Sequence, residues 1–276
     1  MNLNNLNLRI KIGSFILIIV FLTFITSFIW TPYDPQRMNI DNRLSFPNLK
    51  HPLGTDQYGR DELSRIIDGS GKALMVGFIA VSIGLIAGIT LGSIASTSNY
   101  IVSEFIMRFI DAIYSLPAVL LALLITTILG PGIRNSIIAI GIFNIPIFAR
   151  LTNASLLSIK ERDYIFAAKS LGVNRSRLVF KHMIPNAASP LIVQSSNSFA
   201  KALLAEAGLS YLGLGVQPPE SSWGVMLKTA QTFAGRAPHL VLIPGFAIVF
   251  TVFGFNIFAD GIRDLLDPHS ISPSRG

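Results

Sequence analysis

The stretch ALMVGFIAVSIGLIAGITLGSIASTSN, residues 73–99, contains no charged side chain. A helix needs about 20 mostly apolar residues to cross the hydrocarbon core of a bilayer, so this stretch predicts a membrane-spanning helix. Its four glycines, at positions 77, 84, 88 and 92, recur mainly every four residues and therefore lie on one helix face. Small residues on one face predict close packing against a second helix.

Further spans are predicted by length and hydropathy at residues 12–30, 105–129, 136–157, 187–209 and 240–262. Of the 276 residues, only 13% are charged, whereas soluble domains carry about 25% charged residues. The first run is longer than the apolar core of a signal peptide, and no small-residue cleavage site follows it, which indicates a retained helix. We therefore predict an all-α integral membrane protein with six transmembrane helices.

The distribution of basic residues predicts the orientation in the membrane. The net charge is +7, and residues 150–181 contain seven Lys and Arg against two acidic residues. Such an excess beside apolar spans is typical of a cytoplasmic loop and does not call for a nucleic-acid partner. Because basic residues also precede the first span, six spans place both termini in the cytoplasm. Residues 31–71 and 210–238 then lie outside, the second as an ordered loop with little regular structure because it is rich in Gly and Pro.

The basic loop has the sequence of two short helices. Good helix formers dominate residues 160–171, and Gly172 follows where a left-handed C-terminal cap is expected. Asn174 can cap a second helix over residues 175–184. Pro185 either ends this helix or marks the entry to the fifth span.

One face of the first loop helix is predicted to be apolar. Ile165, Ala168 and Leu171 follow each other at intervals of three residues, so we expect them to share that face. An apolar face beside the cytosol needs a cover, which is either the protein's own helices or a partner.

The same loop resembles the "EAA" loop of ABC importer permeases. The resemblance lies in the pattern A-A-x3-G-x9-H-M-I-P over residues 167–185. The chain departs from the family pattern at Phe166, where glutamate is expected, and at His182, where an aliphatic residue is usual. In that family the loop forms a coupling helix that fits a cleft on the cytoplasmic ATPase subunit. By this resemblance the coupling residues are Tyr164, Ile165, Ala167, Ala168, Leu171, Gly172 and Pro185.

Three more blocks resemble permeases for dipeptides, oligopeptides and nickel. They are HPLGTDQYGRD at 51–61, EAGLSYLGLGVQPP at 206–219 with SWG at 222–224, and the F-N-x3-D-G-x-R-D-x2-D-P ending at 255–268. Four blocks in this order over about residues 50–268 identify the chain as a member of this family. Within the family it resembles the second (C-type) permease subunit.

The resemblance implies the type I ABC importer permease fold in the bacterial cytoplasmic membrane. It also implies the partners, which are a homologous permease subunit, two cytoplasmic ATPase subunits and an extracytoplasmic solute-binding protein, within membrane lipid. ATP would be bound by the ATPase subunits, so no cofactor is expected on this chain. The domain boundaries expected are 1–72 for the first helix and external segment, 73–264 for the transmembrane domain with the coupling loop at 158–186, and 265–276 for a cytoplasmic tail.

No catalytic or metal-binding site is predicted. The cluster GSGKA at residues 69–73 lacks the first glycine of a P-loop and the Ser or Thr after its lysine. The chain has no cysteine, which excludes disulfides and thiolate metal sites. Four residues of metal-ligand type lie in one external segment, and we interpret them as solvated charges beside a turn: His51, Asp56, Asp61 and Glu62.

Polar residues inside spans are functional candidates because burying them in lipid is costly. In the fifth span they predict either the translocation path or a subunit interface; the candidates are Gln194, Asn197, Lys201 and Glu206. Near the start of the third span, Arg108 and Asp111 have the i, i+3 spacing of a pair on one helix face.

Peptide import is the function expected from this sequence, with three alternatives. The small number of charged residues in the spans favours a neutral or zwitterionic solute over a bare metal ion. The first alternative is a nickel or metallophore importer. The second is an ion-coupled secondary transporter, for which inverted repeats and midplane carboxylates are expected but not visible. The third is a membrane-embedded scaffold.

Overall fold

The computed structural model of the protein describes residues 3–266. Within that range the regular structure is helical, apart from an isolated bridge between Thr55 and Asp61. The α-helices are α1 Leu3–Ile29, α2 Glu62–Thr97, α3 Tyr100–Tyr114, α4 Ala118–Leu129, α5 Ile133–Lys160, α6 Asp163–Ser170, α7 Arg175–Arg177, α8 Ile184–Asn186, α9 Ala188–Leu212, α10 Trp223–Ala230 and α11 His239–Leu266. A π-helical turn, Leu178–Met183, joins α7 to α8, and single 3₁₀ turns cover Ile40–Asn42 and Gln231–Phe233.

Four helices within residues 3–266 are long and apolar enough to cross a membrane: α1, α2, α5 and α11. The remaining two predicted spans are not among these long apolar helices. Helix α9 has 25 residues, which is long enough, but it carries the polar run noted above. The third span is two helices, α3 and α4, so the prediction of one continuous helix over 105–129 is wrong. The break falls at Pro117, which has no N–H to donate and disfavours helical geometry at the residue before it.

Helices α2 and α5 form the centre of the bundle, with α9 against both and α1 packed on α11. The α2 glycines make the α2–α5 contact possible. A Cβ on Gly88 would clash with Phe148 Cβ and would lie 2.9 Å from the Ala149 backbone N, too close for real atoms. The prediction of close helix packing at this glycine face is confirmed.

We expect Gly88→Ala to loosen the α2–α5 contact. The added methyl group meets backbone atoms of α5, so the helices must separate, which costs about 1–3 kcal/mol. Thermal unfolding of the purified protein in detergent measures the effect as a lower midpoint. Gly245→Ala on α11 is the matched control, because its Cβ would find only Leu227 Cδ2 at 3.9 Å; an equal loss in both variants would contradict the prediction.

Residues 210–238 are more regular than predicted, since they contain α10. Ser222 caps this helix by accepting a hydrogen bond from Val225 N at 3.3 Å. The buried Trp223 indole donates to the Ile66 carbonyl at 3.1 Å, which ties α10 to α2. Gly224 lies so close to the Ala207 carbonyl that no Cβ fits between them. The expectation of little regular structure was wrong because these tertiary contacts stabilise an eight-residue helix.

The segment 31–61 has little regular structure, but buried charges hold it together. Asp56 accepts hydrogen bonds from Arg60 Nε at 2.6 Å and from the backbone N–H groups of Tyr58 and Arg60. Asp61 caps α2 by accepting from Ser64 N at 2.8 Å, and it contacts His51 Nδ1 at 2.8 Å. The interpretation of this group as solvated charges was therefore wrong: Asp56, Asp61 and Glu62 are 2–5% exposed, and His51 is half-buried.

Candidate coupling loop and membrane groove

The first half of the basic loop is a short helix with a left-handed end. Helix α6 stops at Ser170, and Gly172 has φ +75°, a conformation that favours glycine. Gly172 N donates to the Lys169 carbonyl at 2.9 Å, and Val173 N donates to the Ala168 carbonyl at 3.2 Å. The predicted left-handed cap at Gly172 is confirmed.

The second half is one continuous but irregular helical segment. Asn174 accepts a hydrogen bond from Arg177 N at 2.9 Å, so its predicted capping role is confirmed. After α7 the chain widens into the π-helical turn and continues into α8, which contains Pro185. Because Pro185 has no N–H, it cannot complete a regular turn there. The proline thus marks the entry to α9, the second of the two roles expected for it.

The predicted apolar face of α6 is only partly formed. Ile165 is fully buried and Ala168 packs beside it, in a cluster that includes Ile159, Leu178 and Met183. Leu171 lies past the end of α6 and is 84% exposed, so its assignment to the same face was wrong. The protein's own helices cover the inner side of α6, while its outer side is free within the described chain.

Several loop residues face outward and are available to a partner. Five of them are predicted coupling residues, and two further aromatic residues lie beside these. They are Tyr164, Ala167, Leu171, Gly172 and Pro185, together with Phe166 and Phe180. Sequence reasoning missed Phe180, whose side chain is 71% exposed. A large aromatic side chain next to the basic residues of the loop was the available signal.

The four polar candidates of α9 do not come together. Gln194 is half-buried and donates to Ser198 Oγ at 3.1 Å, and Asn197 is also half-buried. Glu206 is 1% exposed and accepts from Ser210 Oγ at 2.7 Å. Ser210 in turn lies against Gly224 of α10. Lys201 alone among them is exposed. The structure therefore separates Lys201 from Glu206.

Lys201 lines a groove of about 350 Å³ between α4, α5 and α9. Volumes of about 300–1,000 Å³ are typical of small-molecule sites. The walls are mainly apolar, formed by Ala122, Ala139, Ile140, Phe143, Asn144, Ile147, Lys201, Ala202, Leu204, Ala205, Gly208, Leu209 and Leu212.

The predicted pair of Arg108 with Asp111 is wrong. Arg108 Nε bonds Glu104 Oε1 at 2.8 Å within α3. Asp111 instead pairs with Arg150 on α5 at 2.6 Å, and the Arg150 guanidinium lies 4.3 Å from the centre of the Tyr114 ring. A tertiary partner and an i, i+4 partner thus replace the i, i+3 pair, and the new ion pair ties α3 to α5.

Comparison with protein families gives a match over residues 63–271 to the family described as "Binding-protein-dependent transport system inner membrane component". The chain belongs to this family. It is therefore an inner-membrane, multi-pass permease component of an ABC importer, a system that includes ATPase and binding-protein partners.

Curated relatives cover almost the whole chain. It is 44% identical to the dipeptide transport system permease protein DppC of Alkalihalophilus pseudofirmus, over 94% of this chain and 84% of the relative. It is 42% identical to the di/tripeptide transport system permease protein DppC of Pseudomonas aeruginosa, over 92% and 86%. It is 37% identical to the glutathione transport system permease protein GsiD of Pectobacterium atrosepticum, over 95% and 87%.

Solved structures confirm the predicted fold. The MetNI methionine ABC transporter, described in inward-facing conformations, matches with a TM-score of 0.59 at 17% identity over 73% of this chain and 96% of that chain. An amino acid ABC transporter crystallised with histidines matches with a TM-score of 0.55 at 20% identity, over 70% and 90%. The fold is that of a type I ABC importer permease.

Proposed function

We propose that this permease subunit translocates di- and oligopeptides across the cytoplasmic membrane. The observation that carries the importer role is the coupling loop, which exposes Tyr164, Leu171 and Phe180 around the left-handed Gly172 while Ile165 anchors it to the bundle. The peptide class is supported by the relatives, which are named for dipeptides, di/tripeptides and glutathione. Those names do not favour the nickel alternative.

The working assembly would contain this chain, a homologous permease, two ATPase subunits and an external binding protein, surrounded by lipid. The ATPase subunits would bind ATP, and this chain would need no cofactor and catalyse no reaction of its own. The basic excess of residues 150–181 supports a cytoplasmic position for the loop. Both termini then lie in the cytoplasm, and residues 31–61 lie outside.

Packing connects the loop to α5 and α9, two of the helices that line the groove. Ile165 packs in the same apolar cluster as Leu156 of α5 and Leu191 of α9, so a displacement of α6 reaches both helices. Closure of the ATPases on ATP would pull the loop and shift the bundle from inward-open to outward-open. Such a shift needs two states that the nucleotide binds differently.

Uptake by a strain that lacks the gene tests this proposal. We expect loss of labelled dipeptide uptake, restored by the intact gene, with nickel uptake unchanged. Loss of nickel uptake alone would make the protein a metal or metallophore permease. Dipeptide uptake that survives ATP depletion but fails when the membrane potential collapses would instead indicate a secondary transporter. If deletion of the gene changes no transport, the protein would be a membrane-embedded scaffold.

A further inference from the structure

The position of Lys201 requires an anion or water. It is the fourteenth of the 25 residues of α9, so it lies about 20 Å from the cytoplasmic end of the helix at a rise of 1.5 Å per residue. That depth is near the middle of a bilayer. A lysine at this depth is rare, and it faces a water-filled cavity or a charged partner.

No carboxylate of the described chain neutralises Lys201. Within residues 3–266 it has neither an ion pair nor a side-chain hydrogen bond. Glu206 is buried and accepts a hydrogen bond from Ser210 Oγ instead. Lys201 shares its exposed helix face with Leu204 and Gly208, which line the same groove. Among the described residues that line this groove, Lys201 is the only charged one.

We propose that the Lys201 ammonium binds the C-terminal carboxylate of the peptide as it crosses the membrane. Every linear peptide has this carboxylate, whatever its side chains are. The remaining walls are mostly apolar, with Phe143, Ile147 and Leu204 beside small residues, so they accept varied side chains without a fixed polar partner. One cation in an apolar groove thus recognises the constant part of the substrate and tolerates the variable part.

This inference rests on the proposed peptide import, and its test separates the two. The complete importer without binding protein is placed in lipid nanodiscs, and binding of a labelled dipeptide is measured in competition with the same dipeptide carrying a C-terminal amide. The wild type is expected to prefer the free carboxylate by about tenfold or more, the effect of one charge-assisted hydrogen bond. Lys201→Gln should bind the acid about tenfold more weakly and lose the preference, while binding of the amide changes less than about twofold.

Two variants serve as controls. Lys201→Arg keeps the charge and should keep the preference for the acid. Lys50→Gln makes the same charge change on an exposed external lysine and should behave as the wild type.

The other outcomes overturn the inference. The carboxylate contact is ruled out if Lys201→Gln and the wild type prefer the free acid over the amide equally. It is also ruled out if the wild type imports the dipeptide but shows no binding, or no preference for the acid. Failure of Lys201→Gln to assemble with the homologous permease would show that Lys201 pairs with that subunit instead. A wild-type importer that transports no dipeptide at all would defeat the proposed function, not this contact alone.

Discussion

Replacing Gly172 with proline is expected to abolish substrate-stimulated ATP hydrolysis and peptide uptake while the subunit still reaches the membrane. Proline holds φ near −65°, whereas Gly172 has φ +75°. The change also removes the N–H that donates to the Lys169 carbonyl. Together these effects cost about 3 kcal/mol or more, which lowers the population of the native cap on the order of a hundredfold.

The effect should be confined to the loop because no atom lies within 4 Å of a Cβ added at Gly172. Gly172→Asn is the matched control, since asparagine tolerates the left-handed region and finds open space there. It should retain ATP hydrolysis and uptake within about twofold of the wild type. Unchanged substrate-stimulated hydrolysis in Gly172→Pro would remove the loop from the mechanism.

Local and periodic features of the fold could be predicted from the sequence. The span 73–99 and its glycine face depend on hydropathy and on helical spacing, and both are properties of a single segment. The cap at Gly172 and the cap at Asn174 depend on neighbouring backbone groups only. These are the interactions that a linear sequence displays directly.

Tertiary partners could not be predicted in the same way. Asp111 pairs with Arg150, which lies 39 residues away, and Trp223 bonds a carbonyl 157 residues away. Leu171 left the predicted face because α6 ends one residue before it. For Lys201 the sequence left path and interface equally open, and only the groove between α4, α5 and α9 shows which side of α9 it occupies.

The segment 31–61 offers the second large effect: Asp56→Ala is expected to unfold this segment and the first turn of α2 locally. Asp56 neutralises Arg60, and it lies 3.8 Å from Arg65 Nε. Both guanidinium groups are 5% exposed or less. Removing one partner of a buried ion pair costs about 3–5 kcal/mol, because the remaining charge stays buried without compensation.

Limited trypsin digestion measures this opening directly, since trypsin cleaves after the same two arginines. Cleavage after Arg60 and Arg65 should become faster by about a hundredfold or more, as 1.4 kcal/mol corresponds to a factor of ten when opening is fast relative to cleavage. Cleavage after Arg175, in the basic loop, should stay unchanged and reports on the rest of the fold. The exposed Asp41 provides the matched control, and Asp41→Ala should change stability by less than about 0.5 kcal/mol. Equal digestion of the Asp56→Ala and Asp41→Ala variants would contradict the prediction, because it would mean that the buried charges do not hold this segment in place. The segment would then be held by apolar contacts, such as that of the Phe46 ring with His239.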